Sequence, residues 1–243
     1  MAGKRFVFYS LLFCLSVFSA CQKEYTIANS DYKTLGTSAH DLLSASPYAL
    51  LQIEIQYMPG YALDNASINN LVNFLNLYIN KPAGIQVFQH QIDASGKPAL
   101  TLKEIVSIEK KNRSIFTFND IITIHILITD GYYSNSLTFA TSYWNTSSCI
   151  FGKAITDNSG GVMQVTSTQL MSTILEHEFG HLLGLVDQGS PMLANHKDAA
   201  NGAHCSITNC LMYYAIETST GGAMAIPALD ANCITDLKAN GGK

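Results

Sequence analysis

The sequence predicts an α+β domain, an α/β-type N-terminal layer followed by an irregular C-terminal subdomain. Three observations lead there. Strand-like and helix-like segments alternate up to about residue 165. Residues 121–129, Ile-Ile-Thr-Ile-His-Ile-Leu-Ile-Thr, form a continuous β-rich run of the kind buried on both faces of a sheet. After one strong helical segment, Gln169 to Leu183, the chain turns to loops rich in Gly, Asn and Ala.

Taken in order, Ala49 to Met58 reads as a strand with Leu51, Ile53, Ile55 and Tyr57 on one face, closed by Pro59-Gly60. Asp64 or Asn65 is placed to cap a helix across Ile68 to Ile79, where Leu71, Leu75 and Tyr78 follow helical spacing and Pro82 and Gly84 end it. Ile85 to Ile92 alternates as a strand, and Leu102 to Lys111 is expected to be helical. Leu137 to Trp144 and Phe151 to Ile155 are expected as more exposed strands separated by an Asn/Ser-rich turn. Thr166 to Gln169 offers a capping box for the strong helix. There is no internal repeat.

The 243 residues suit one domain able to bury a substantial core. Only 13% of residues are charged and 10% are aromatic, which excludes a disordered chain. A formal net charge of -4 leaves no basic footprint for nucleic acid, and a monomer is expected. No run reaches the ~18 uninterrupted apolar residues of a membrane span.

The N-terminus addresses the chain. Lys4 and Arg5 precede the apolar run Phe6 to Phe18, then come Ser19, Ala20 and Cys21. This is the layout of a secretory signal over residues 1–20. The placement of Cys21 after two small residues resembles a bacterial lipobox, although Phe18 stands where leucine is usual. That resemblance implies a lipoprotein anchored through acyl chains on Cys21, at a bacterial outer membrane or cell surface. Residues 21–46 would then be a polar tether or a packed N-terminal strand, and 47–243 the folded domain, divided near residue 184. Without Cys14 and Cys21, four cysteines remain: Cys149, Cys205, Cys210 and Cys233. In an oxidising compartment an even number favours two disulfides, here Cys205–Cys210 and Cys149–Cys233. A structural zinc on the four is the competing reading.

Residues 177–181 read His-Glu-Phe-Gly-His. On a helix, His177 and His181 project from one face and can share a metal. Glu178 beside them is placed to take a proton from an activated water. Leu170 and Ile174 continue that face into the core. Gly184, three residues on, suits the end of the helix.

The stretch His177-Glu-Phe-Gly-His181-Leu-Leu-Gly184 resembles the extended zinc motif of the metzincin metallopeptidases. Downstream, His204-Cys205-Ser-Ile-Thr-Asn-Cys210-Leu-Met212 is similar to the archaemetzincin pattern His-Cys-x4-Cys-x-Met. The likeness is sharp over residues 166–215 and only architectural over 49–165. It implies a mixed twisted sheet with a backing helix, an active-site helix, one catalytic Zn2+, and a methionine turn at Met212. It leaves three third ligands open. Metzincin spacing points to Asp187, as in the snapalysins, while the archaemetzincin pattern points to His204 after an insertion of roughly seventeen residues. His196 lies inside that insertion. If His204 binds, Asp187 is a candidate to orient an imidazole. Tyr214 corresponds to the metal-proximal tyrosine of astacins and serralysins and would donate a hydrogen bond to the reacting centre. Residues 137–155 would supply the sheet edge that pairs with an extended peptide, with Tyr143 and Trp144 near its pocket, and the loop 188–203 is a candidate cover over the cleft.

The expected function is a secreted zinc metalloendopeptidase acting on peptides or proteins, with Glu178 as general base. The alternatives are a surface-binding lipoprotein with a structural zinc and a zinc hydrolase of a non-peptide substrate.

Overall fold

The computed structural model describes residues 29–134, 138–219 and 225–243. The secretory segment, Cys21 and Leu137 lie outside the described residues. The fold is a mixed α/β arrangement built on a mostly parallel sheet. Its strands are β1 (Leu50–Tyr57), β2 (Gly84–Gln91), β4 (Ile121–Thr129), β6 (Ala140–Trp144) and β7 (Ser147–Phe151), in the order β2-β1-β4-β7-β6. β2, β1, β4 and β7 run parallel in register, and β6 returns antiparallel to β7 as the edge. Two short strands, β3 (Ala99–Leu100) and β5 (Tyr132–Tyr133), pair separately.

Both faces are covered, as parallel sheets require. Ile53 and Ile55 of β1 and Ile124, Ile126 and Ile128 of β4 point to one side. There they pack on α2 (Asn65–Tyr78) and α5 (Ser167–Leu182), within the main core. The alternate residues point the other way. Leu127, Cys149 and Phe151 meet Ile105 of α3 (Leu102–Asn112) in a smaller apolar cluster. Toward the other end of that face the sheet buries polar groups instead. Glu109 and Arg113 pair there at 2.9 Å, and Arg113 also lies 3.5 Å from Asp31. Asp64 caps α2 through the Ser67 amide, as its position predicts, and Thr101 and Glu104 form a capping box on α3.

Two expectations along the chain are corrected. The segment 147–151, read as turn and then strand, is wholly strand and fully buried, and the strand expected at Phe151–Ile155 is the short helix α4 (Gly152–Asp157). The turn from strand to helix is made at Gly152, where an added Cβ would lie 2.5 Å from the Tyr61 ring and 2.9 Å from the Thr129 carbonyl. Hydrophobic pattern cannot reveal a strand that buries Ser147 and Ser148, because their hydroxyls find polar partners inside.

Nor is the polar segment a free tether from Asn29 onward. It forms a 3-10 turn (Asn29–Asp31) and helix α1 (Ala39–Leu43), whose Leu42 and Leu43 are fully buried. The Lys81 ammonium fastens it, donating to the carbonyls of Asp41, Ser44 and Tyr48 at 2.6, 2.6 and 2.7 Å. Lys81→Met keeps the stem and strands three carbonyls, so a loss of about 3 kcal/mol in urea unfolding is expected. An unmoved midpoint would mean that water reaches those carbonyls instead. A last helix, α6 (Ala231–Ala239), closes the chain, and residues 185–230 between α5 and α6 hold no other helix or strand among the described residues. No described helix is long and apolar enough to cross a membrane.

Candidate metal centre

Helix α5 begins as its sequence predicts. Thr166 accepts from the Gln169 amide and the Gln169 side chain reaches back to the Thr166 amide. It ends at Gly184, in the left-handed region at φ +76°. Gly184 N–H reaches the His181 carbonyl and Leu185 N–H the Gly180 carbonyl, both at 3.0 Å. Those two bonds make a Schellman cap, and they turn the chain back along the helix. An added Cβ at Gly184 would sit 2.6 Å from Ala39 Cβ and from the Ser190 amide. Gly184→Ala is therefore expected to cost about 3 kcal/mol or more, and to disturb everything that follows the cap. A wild-type thermal midpoint in that variant would contradict this account.

His177 and His181 share one face of α5, and the structure brings His204 to them. One ligand-capable nitrogen from each lies within 4.8 Å of the others. His204 arrives through strand-like bridges: Lys197 pairs with Cys205, and the Cys205 amide donates to the Met212 carbonyl at 2.8 Å. Neither other candidate joins. Asp187 is exposed, just past the cap, with φ +63°. His196 is buried elsewhere, its Nε2 2.8 Å from Asp236.

Backbone carbonyls set two of the three rings. His177 Nδ1 donates to Leu211 O at 2.8 Å and His204 Nδ1 to Asn201 O at 2.7 Å, leaving both Nε2 lone pairs free for a metal. The Nε2 atoms of His177 and His181 are 3.1 Å apart. His181 Nδ1 is buried without a hydrogen-bond partner. Whichever tautomer His181 adopts, a polar nitrogen stays unpaired or two lone pairs face each other, and a cation between the rings relieves this. Burial holds His177 down to about 4 and His181 well below the ordinary histidine range, so both are neutral ligands at pH 7. Three imidazoles with an open side suit zinc in a catalytic rather than a closed site.

Glu178 lines the same cleft, and burial pushes its carboxyl up to about 7, against the opposing hydrogen bond from Ser142. Met212 is fully buried beneath α5, and a Cβ on Gly180 would lie 2.2 Å from its sulfur. The glycine in His-Glu-Phe-Gly-His thus makes room for the methionine. Tyr214 is 47% exposed and borders the cleft. The cleft, about 440 Å3, is walled by β6 residues Ala140 to Ser142 and by Leu35 from the N-terminal segment.

Three expectations change here. Tyr143 and Trp144 do not line the cleft. The Tyr143 hydroxyl donates to Glu109 at 2.5 Å, and Trp144 packs on Tyr32. Of the loop 188–203 only Ala203 reaches the cleft, while Leu193 and His196 are tied to Asp236 of α6. The disulfides are absent: Cys149, Cys205, Cys210 and Cys233 are all free and buried. Cys149 faces α3 in the smaller cluster, whereas the other three lie in the main core, which also rules out a four-cysteine zinc site.

The sequence reading missed what those cysteines do join. His196, Cys205, Asp230 and Cys233 present four ligand atoms within 4.8 Å of one another, a second group able to hold a metal. Cys210 Sγ is 3.7 Å from Cys233 Sγ. Counting cysteines alone hid a mixed set whose signal was the spacing Asp230-x-x-Cys233. Ser142, which contacts Glu178, had no sequence signal.

No family model and no curated protein matches this chain. Among solved structures it is similar to the archaemetzincin of Methanopyrus kandleri, with a TM-score of 0.49 and 11% identity over 79% of this chain and 96% of that one. It is also similar to metalloproteinase-II of Bacteroides fragilis, with a TM-score of 0.41 and 16% identity over 81% of this chain. The match spans 54% of that second protein.

Proposed function

We propose that the protein is a zinc-dependent metalloendopeptidase of the metzincin type. The observation that carries this is the convergence of His177, His181 and His204 beside Glu178, in a cleft walled by an edge strand. The three histidines would hold the metal. Bound zinc supplies Lewis acidity that polarises the scissile carbonyl and makes water a better nucleophile. Glu178 takes the proton from the attacking water and delivers it to the leaving amine, work suited to a carboxyl near neutrality. Tyr214, at the rim, would donate a hydrogen bond to the oxygen that gains charge. Among the described residues β6 pairs on one side only, so its outer edge is placed to align an extended peptide by strand addition.

The same reading places the enzyme outside the cell, as a monomer tethered by lipid on Cys21, with peptides or proteins as substrates.

The test is mass-spectrometric cleavage profiling on a mixed peptide library, comparing the zinc-loaded protein with the chelated protein and with Glu178→Ala. Cuts made only by the zinc-loaded wild type are expected. A folded, zinc-loaded protein that makes no cut removes the reading.

A further inference from the structure

The Glu178 carboxylate is buried, yet it has one specific anchor. Ser142 of β6 donates its hydroxyl to Glu178 Oε2 at 2.6 Å. The same Ser142 oxygen lies 2.6 Å from Ser148 Oγ of β7. A serine carries one hydroxyl proton. Ser142 spends its proton on the carboxylate, so Ser148 must be the donor between the two serines. The result is a directed chain, Ser148 to Ser142 to Glu178 Oε2. With Oε2 held, Oε1 is left as the oxygen that receives a proton.

The strands fix this chain in place. Ser142 and Ser148 are directly opposed in the β6–β7 ladder, where cross-strand side chains on one face come within reach. The next pair is Trp144 with Ser147, so Tyr143 is an extra residue, a β-bulge of the kind that re-aims side chains beside active sites. The Tyr143 hydroxyl is tied to Glu109 beneath the sheet, which pins the register of Ser142 above it. Ser148 is fully buried in the interior strand and has no other side-chain hydrogen-bond partner among the described residues.

We infer that Ser142, backed by Ser148, is a positioning residue that sets the orientation of the Glu178 carboxylate. The inference rests on the metallopeptidase reading. An unanchored carboxylate rotates about its last torsion and spends less time aimed at the attacking water, which lowers turnover while leaving substrate binding alone.

The experiment uses a peptide that the wild type cuts. Ser142→Ala is expected to lower kcat by about 10- to 100-fold with KM within about two-fold and metal content unchanged. Ser142→Thr, which restores the hydroxyl, is expected to recover most of the loss. Ser148→Ala is expected to lower kcat by less, about three- to ten-fold. Because Ser148 acts only through Ser142, the double variant is expected to be no slower than Ser142→Ala. A second readout needs no turnover. In metal-free protein the infrared carboxyl band of Glu178, assigned by its loss in Glu178→Gln, is expected to move in Ser142→Ala. Should Ser142→Ala fail to fold, Ser148→Ala and the band carry the test. An active wild type matched by Ser142→Ala, with the band unmoved, overturns the positioning role alone. A wild type that cuts nothing removes the metallopeptidase reading, and this role with it.

Discussion

Glu178→Gln is expected to lower kcat on any peptide the wild type cuts by about 10^3-fold, without loss of metal. The substitution keeps the shape of the side chain, and its amide oxygen can still accept the Ser142 hydroxyl, so the anchor survives while the base is lost. The same variant is expected to be more stable than the wild type. Burial raises the folded carboxyl of Glu178 from 4.5 to about 7. Between those values the folded protein holds its proton more tightly than the unfolded chain, so stability falls as pH rises through this window. At pH 8 the ionised group costs the metal-free protein about 3 kcal/mol at most, and a neutral amide in its place removes that cost. The gain is expected to shrink as pH falls below 7 and to vanish below about 4.5. Urea unfolding of both metal-free proteins at pH 8 and pH 5 checks it. Equal stability at pH 8 would show that water reaches the carboxylate, and equal turnover would remove Glu178 from the chemistry. Activity bought at the expense of stability is the usual signature of a working site.

How much of this site the sequence disclosed depended on how local each cause was. The helix with His177, Glu178 and His181 was readable because its capping box, spacing and terminal glycine all lie within nineteen residues, from Thr166 to Gly184. The third histidine was ambiguous because spacing cannot tell a carboxylate just past a helix end from an imidazole returning after a long loop. Tertiary pairing decides it. Cys205 N–H meets Met212 O, which carries His204 up to the helix, while Asp187 stays exposed in the turn just past the cap, with φ +63°. The strands and helices over 50–129 were legible because their apolar residues are buried, against the main core on one face of the sheet and the smaller cluster beside α3 on the other. β7 was not, because Ser147 and Ser148 are buried for hydrogen bonding rather than for apolar area. The cysteine pairing failed for a related reason. Parity of count says nothing about facing, and Cys149 lies on the opposite face of the sheet from the group that holds Cys205 and Cys233.

That second group supplies the other large expected effect. Cys205, Cys233, Asp230 and His196 are drawn from three separate stretches of chain and tie the loop after α5 to the start of α6. Cys205 Sγ donates to the Asp230 carboxylate at 3.0 Å, and burial together with that bond pushes its thiol up to about 12, so a metal taken into the group would displace that proton. Asp236, bonded to His196 Nε2, leaves Nδ1 turned toward Cys205 at 3.3 Å, the arrangement in which an outer carboxylate fixes a ligating imidazole. Two thiolates, a carboxylate and an imidazole would close a tetrahedron, with none of the openness of the histidine cleft. The protein is therefore expected to hold two zinc ions per chain, one in each group. Cobalt should distinguish them, because only the second offers sulfur and hence an intense thiolate-to-cobalt band in the near ultraviolet. Cys233→Ala is expected to erase that band, release one equivalent of metal and lower Tm by about 10–20 °C, since metal binding of this kind is folding energy. His181→Ala is expected to lose the other equivalent, keep the band and melt close to the wild type. One equivalent of zinc and no thiolate band would make the group a hydrogen-bonded polar core, held by Asp230 and Asp236 alone. Because Cys205 directly follows His204 in the chain, the second group also bears on the first: releasing its metal is expected to loosen the third histidine and lower the zinc affinity of the cleft.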